Sequence, residues 1–130
     1  MKIFGIGTDI INIRRINNSI KKGGYKFKKK IFSDKEITYC ERKKNPSAFY
    51  AKRFAAKEAF TKALGFGFRD NLNFKDISII NDKYGKPSIK INSKISKILK
   101  KKYKLNKVKV LLSISDEKKL SIAFVIVGKK

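Results

Sequence analysis

Asn45-Pro46-Ser47-Ala48-Phe49-Tyr50-Ala51-Lys52-Arg53-Phe54-Ala55-Ala56-Lys57-Glu58-Ala59-Phe60-Thr61-Lys62-Ala63-Leu64-Gly65 reads as one long helix, and the rest of the chain is arranged around it. Asn45-Pro46 makes a turn and a good helix start, because proline at the first helical position gives up only an amide hydrogen that would be unbonded there. The spacing predicts a helix from about Ser47 to Leu64, terminated by Gly65 with Gly67. At 3.6 residues per turn Glu58 and Lys62 fall on one face. Phe54, Ala55, Ala59, Phe60 and Ala63 suit a core-facing surface.

Before this helix, Ile3, Phe4 and Ile6 form a short apolar strand, with Gly5 and Gly7 allowing close backbone approach. Asp9 follows directly. Asn12 suits the cap of a helix with apolar positions Ile13, Ile16 and Ile20, ended by Gly23-Gly24. Tyr25 to Ile31 is lysine-rich and its state is open. Ser33 and Glu36 make a capping box that opens a short helix through about Arg42.

After the long helix the chain reads mostly as strands. Ile77 and Ile79 lie in one that ends at Asn81-Asp82, and the Gly85-Lys86-Pro87 turn leads into a second through Ile89 and Ile91. Ile95, Ile98 and Leu99 give a helix of about ten residues. Val108, Val110, Leu112 and Ile114 alternate, as do Leu120, Ile122, Phe124 and Ile126, with Asp116-Glu117-Lys118 as the hairpin turn. The expected fold class is α+β: an antiparallel sheet packed on a long central helix, in a single domain over residues 1–130.

Composition narrows the chemistry. There is no histidine, so neither an imidazole base nor a histidine metal ligand exists, and a metal would be held by oxygen. One cysteine, Cys40, cannot form an internal disulfide, which fits a reducing, cytoplasmic setting. No run of 18 apolar residues exists, so no membrane span is expected. Asp9, Asn12 and Arg14-Arg15 interrupt the opening apolar residues, against a signal peptide.

The net charge is +24, with 34 basic residues against 10 acidic. An anionic partner and plain compositional bias both account for it. Only five residues are arginine, the residue nucleic-acid readers use for bidentate contacts, and the lysines are spread over all segments. A basic nucleic-acid-binding module is the rival class, but no helix-turn-helix, RNP or zinc pattern is present.

An Asp and a Glu that converge can hold a hard divalent cation such as Mg²⁺, usually bound by one or two carboxylates plus substrate phosphates. A lysine beside them can neutralise charge on a leaving phosphate. Each residue also has a plainer reading. Asp after a strand commonly makes a turn or caps a helix. Glu58 and Lys62 make an ordinary exposed helix pair worth about 0.3–0.5 kcal/mol.

Read together, the motifs resemble a family. Gly5-Ile6-Gly7-Thr8-Asp9-Ile10 followed by Arg53-Phe54-Ala55-Ala56-Lys57-Glu58-Ala59-Phe60-Thr61-Lys62-Ala63-Leu64-Gly65 is similar to the holo-acyl-carrier-protein synthases, the small 4′-phosphopantetheinyl transferases. Phe32-Ser33-Asp34-Lys35-Glu36-Ile37 resembles the family's F-[ST]-x-x-E-[LI] block, Tyr84-Gly85-Lys86-Pro87 its G-K-P turn, and Leu112-Ser113-Ile114-Ser115-Asp116-Glu117 its closing block. The blocks occur in family order along nearly the whole chain.

The resemblance implies transfer of 4′-phosphopantetheine from coenzyme A to a serine of an acyl carrier protein, releasing 3′,5′-ADP, in support of fatty acid biosynthesis. It implies that Asp9 and Glu58 bind Mg²⁺ and that Lys62 stabilises the leaving group and contacts the cofactor. With no histidine, Glu58 is the base that the resemblance leaves for the serine proton, directly or through a metal-bound water. Arg53, Lys57, Gly65, Gly85, Lys86 and Pro87 resemble the coenzyme A contacts. Arg15 matches a family arginine, and the basic face of Arg14, Arg15, Lys21 and Lys22 is the expected dock for an acidic carrier protein. Plainer readings apply here too: solvated charge, a C-cap, a hairpin turn. Ser113 and Ser115 share a strand face and could reach phosphate or simply face solvent.

Two departures stand out. Leu111 occupies a position that is often histidine in the family, and Asn12 one that is commonly acidic. The resemblance further implies a homotrimer with shared active sites, and the expected interface is apolar, around Val110, Leu112, Phe124 and Ile126, each of which reads equally well as plain core.

Overall fold

The computed structural model describes residues 1–65 and 72–130. Its elements are β1 (Lys2–Asn12), α1 (Ile13–Ile31), α2 (Asp34–Glu41), α3 (Pro46–Leu64), a 3₁₀ turn at Phe74–Asp76, β2 (Ile77–Asn81), β3 (Pro87–Ile91), α4 (Ser93–Tyr103), β4 (Val108–Asp116) and β5 (Leu120–Lys129). The fold is α+β. Its strands form an antiparallel three-stranded sheet, ordered β1-β5-β4, and a separate antiparallel pair, β2-β3.

Helix α3 runs through the core. Ala51, Ala55, Ala56, Ala59, Phe60, Ala63 and Leu64 are all buried, and a helix apolar on so many sides is stable only when neighbours cover it. It starts with Pro46 in its first turn and stops at Gly65, whose φ of 82° is the left-handed conformation that ends helices. Gly67 lies outside the described residues.

The helix lies against β1 and β5. Side chains of Ser121, Ala123, Val125 and Val127 alternate inward along β5 and pack beneath α3. On β1 the inner row is Gly5, Gly7, Asp9 and Ile11. A Cβ at Gly5 would collide with the carbonyl oxygen of Ala63, and one at Gly7 with that of Ala59. Those two glycines let the helix backbone rest on the strand.

Strand β1 is longer than the apolar pattern suggested. It pairs with β5 as far as Asn12 opposite Leu120, so Asp9 sits inside the strand, opposite Ala123. The expectation that Asp9 follows the strand is corrected: the ladder with β5 carries the extended conformation through polar residues.

The first helix also extends beyond expectation. Gly24 breaks the helical geometry at φ 61°, ψ −149°, and the chain resumes helical turns as far as Ile31. Helix α2 begins with the expected capping box: Glu36 N–H donates to Ser33 Oγ at 3.2 Å and Ser33 N–H to Glu36 Oε1 at 3.0 Å. The β4–β5 turn is closed by Glu117 N–H donating to Leu120 O at 2.8 Å.

The outer face of the three-stranded sheet is apolar and open. Ile6 and Leu111 both flank Ile126, and Ile10 flanks Ile122. Ile6 is 61% exposed, and Ile122 and Phe124 are each 42% exposed. Val110 and Leu112 do not belong to this face. They are half-buried against the core, because β4 alternates and its outward positions are Leu111, Ser113 and Ser115.

Candidate active site

Asp9 follows Gly7 by two positions on the inner row of β1, the same contact that brings α3 onto the strand. Its side chain is 16% exposed. Lys62 reaches from α3 to β1, donating to Asp9 Oδ1 at 3.1 Å and to Thr8 O at 3.0 Å. Lys62 therefore pairs across the two elements rather than back along its own helix, and Asp9 is neither a turn residue nor a helix cap. Glu58, one helical turn before Lys62, is half-buried. Burial raises its carboxyl pKa, the Asp9 charge raises it further, and Lys62 opposes both.

Two carboxylates with one ammonium between strand and helix leave an excess of negative charge, and the site gains from a further cation. Among the described residues no group of three or more His, Cys, Asp or Glu gathers. The donor set is two carboxylate groups, which suits Mg²⁺ completed by substrate phosphate and water.

A second feature lies on another side of α3. Tyr39, Phe49, Lys52, Arg53, Asn81, Gly85, Pro87, Ile114 and Asp116 line a cleft of about 160 Å³. Arg53, Gly85 and Pro87 thus meet in one place, although they are far apart in sequence. The Arg53 guanidinium stacks on Tyr39, with Cζ 4.3 Å from the ring centroid, and donates to Asn81 Oδ1. Asn81 Nδ2 donates in turn to Gly85 O at 3.0 Å. Gly85 has a φ of 86°, and Asp82 Oδ1 accepts from Tyr84 N and Lys86 N, so the hairpin turn is braced from within. At the cleft Lys52 Nζ lies 3.6 Å from Asp116 Oδ2. Lys86 is exposed beside the cleft and does not line it.

Lys57 requires a correction. The resemblance puts it among coenzyme A contacts, but it is 0% exposed. Its Nζ donates to Glu36 Oε1 at 2.7 Å, Ile31 O at 3.0 Å and Phe74 O at 3.0 Å. An ammonium has three donors, and all three are used inside the core. Burial pulls the Lys57 pKa below its ordinary value, and Glu36 opposes that shift.

Glu36 is the residue whose importance sequence reasoning missed. Its sequence pattern shows only half of a capping box. It is also a buried hub that accepts from Lys57, from Ser33 N and from Ile79 N at 3.3 Å, and it lies 3.9 Å from Arg53 Nε. The sequence signal was the block from Phe32 to Ile37, in which Glu36 is a fixed element.

The remaining residues are at the surface. Gly65 is the exposed C-cap of α3, two turns beyond Glu58. Arg14, Arg15, Lys21 and Lys22 are all exposed on α1, while Ile13 and Ile16 are buried beneath them. Asn12 caps α1 by accepting from Arg14 N at 2.9 Å, so the Asn at this position has a local structural use. Leu111, Ser113 and Ser115 lie on the outer sheet face.

The 4′-phosphopantetheinyl transferase superfamily profile matches residues 5–124. A holo-[acyl-carrier-protein] synthase of Pelagibacter ubique is 55% identical over 130 residues, covering 100% of both chains. The crystal structure of the holo-[acyl-carrier-protein] synthase from Neisseria meningitidis superposes with a TM-score of 0.85 at 40% identity, covering 98% of this chain and 99% of that one. The Bacillus anthracis enzyme of the same name, in complex with CoA (3′,5′-ADP), gives a TM-score of 0.81 at 32% identity over 100% of both chains.

Proposed function

The chain belongs to the 4′-phosphopantetheinyl transferase superfamily, and from that premise we propose that Asp9, Glu58 and Lys62 carry the transfer of 4′-phosphopantetheine from coenzyme A to a serine of an apo acyl carrier protein. The products are the holo carrier and adenosine 3′,5′-bisphosphate. The serine oxygen forms a bond to the nearer pyrophosphate phosphorus, the bridging P–O bond breaks, and the electron pair leaves with the adenosine bisphosphate. The serine proton goes to a base.

The observation that carries this reading is the convergence of Asp9 and Glu58 beside Lys62. Asp9 and Glu58 would hold Mg²⁺, which when bound supplies charge neutralisation and polarisation at the pyrophosphate. Lys62, 55% exposed and extended over Asp9, is free to turn toward the leaving phosphate. Glu58 is the carboxylate suited to take the serine proton, since the chain has no histidine to do so. The exposed basic face of Arg14, Arg15, Lys21 and Lys22 suits an acidic carrier.

The cleft of Arg53, Gly85 and Pro87, with Lys86 at its edge, would take the adenosine-phosphate end of coenzyme A. Arg53 and Glu58 are five residues apart on α3, about 140° around its axis. The two features therefore face different ways within one protomer. This favours a homotrimer in which coenzyme A spans two chains, one giving Asp9, Glu58, Lys62 and Gly65, the next giving the cleft. The apolar outer sheet face offers the surface such an assembly needs. That surface is Ile6, Ile10, Leu111, Ile122, Phe124 and Ile126, rather than a set including Val110 and Leu112.

Residues 1–130 would act as one transferase domain, in the cytoplasm and in support of fatty acid synthesis. Cys40 is free and buried, which fits a reducing compartment, and among the described residues no helix is long and apolar enough to cross a membrane. The test is release of adenosine 3′,5′-bisphosphate, followed chromatographically, from coenzyme A, Mg²⁺ and an apo acyl carrier protein. Release should require all three and the intact protein, and release that ignores the carrier would refute the reading.

A further inference from the structure

Glu36, Lys57 and Arg53 form a buried cluster of one carboxylate and two cations. Glu36 is 1% exposed, Lys57 0% and Arg53 3%. The carboxylate is not shared evenly. Lys57 Nζ sits 2.7 Å from Oε1, whereas Arg53 Nε is 3.9 Å from Oε2 and makes no hydrogen bond. Lys57 thereby takes up most of the Glu36 charge, and the cluster keeps one positive charge in excess on the guanidinium. That guanidinium is held flat on Tyr39 and tied through Asn81 to the Gly85 carbonyl. Arg53 is among the residues that line the cleft.

We propose that Glu36 and Lys57 are positioning residues for Arg53: Glu36 orients the guanidinium and ties α2 and β2 to α3, while Lys57 neutralises Glu36 so that Arg53 keeps its charge for an anionic group in the cleft. This gives the buried Lys57 a role without ligand contact. Were Lys57 absent, Glu36 and Arg53 would pair with each other and the cleft would lose its field. Were Glu36 absent, the Arg53 side chain would lose its ion-pair partner beneath the cleft, and β2 would lose its tie to α2 through Ile79. The inference rests on the reading of the cleft as the adenosine-phosphate end of the coenzyme A site.

The anionic group that distinguishes coenzyme A from dephospho-coenzyme A is the 3′-phosphate, so the ratio of their affinities isolates what Arg53 contributes. The experiment is calorimetric titration of both ligands into wild type, Arg53→Met, Glu36→Asp and Lys57→Met. Lys57→Met removes the neutralising ammonium, so Glu36 pairs with Arg53 and the cleft loses its positive field. Glu36→Asp keeps the charge and withdraws the carboxylate by one methylene, so it serves if Lys57→Met lacks a cooperative melt.

The expected result is that coenzyme A binds at least about tenfold more weakly to all three variants, the scale of a lost hydrogen bond to a charged group. Dephospho-coenzyme A affinity and Mn²⁺ binding should stay within about twofold of wild type. A purely structural role would lower both cofactor affinities together. Loss in Arg53→Met with unchanged coenzyme A binding in a folded Lys57→Met variant overturns the positioning role alone. Unchanged binding in Arg53→Met overturns the cleft reading and the proposal with it.

Discussion

Gly7 on β1 lies so close to Ala59 on α3 that a methyl group on the glycine would collide with the Ala59 carbonyl oxygen. This contact sets the distance between strand and helix. Asp9 follows two residues later on the strand, and Glu58 immediately precedes Ala59 on the helix. Gly7→Ala must therefore push the two carboxylates apart. The expected outcome is a loss of about 1–3 kcal/mol in stability, typical of overpacking. Transfer activity should fall more than the stability loss alone explains. Thermal melts and Mn²⁺ titration of the same sample separate the two effects.

Asp9→Ala and Glu58→Ala should each lower the transfer rate on the order of 10²–10³-fold, the scale for removing one preorganised electrostatic partner. Neither should lower the melting temperature. Removing Asp9 also removes one cause of the raised Glu58 pKa. Mn²⁺ should partly replace Mg²⁺, since both favour oxygen ligands. Full activity in excess EDTA contradicts the metal assignment.

Phe124→Asp places a charge at the middle strand of the exposed apolar sheet face, opposite Thr8 and Ser113. If that face joins protomers, light scattering should show a monomer that has lost transfer activity. Val110→Ala, on the inner side of β4, should instead lower stability without changing the mass. With +24 per chain, low ionic strength should loosen the assembly, and coenzyme A should tighten it. A fully active Phe124→Asp monomer contradicts the shared-site assembly.

Cys40 gives a pH test. Burial pushes its thiol from an ordinary 9.0 up to about 12. A raised acid pKa means that the folded state prefers the protonated form. That preference stabilises the fold fully below about pH 9 and is lost as pH rises from there toward about 12. The native thiol should resist iodoacetamide at pH 8, and denaturation should expose it. Cys40→Ala should show a shallower loss of stability above pH 9 than wild type, measured by urea unfolding.

Much of the fold was legible because the local signals agreed with one another. Pro46 and Gly65 bracket α3, Ser33 and Glu36 cap α2, and alternating residues mark β4 and β5. Asp9, Glu58 and Lys62 were legible as a group only because their flanking residues matched a family pattern. What was missed depends on long-range packing. The polar end of β1 is held extended by β5, which local propensity cannot reveal. The α1 turns beyond Gly24 are tied down by distant partners, such as Lys28 to Glu41 at 2.9 Å. Lys57 reads in the sequence as a coenzyme A contact or as solvated charge, because nothing local shows that Glu36, Ile31 and Phe74 close around it.

The most direct test of the central claim is the intact mass of an apo acyl carrier protein incubated with coenzyme A, Mg²⁺ and either wild type or Glu58→Gln. Wild type should convert the carrier to a single species heavier by one phosphopantetheine group, and added EDTA should stop the conversion. Glu58→Gln, folded to the same melting temperature, should leave the carrier mass unchanged over the same interval. An unmodified carrier with wild type, or full modification by Glu58→Gln, would contradict the account.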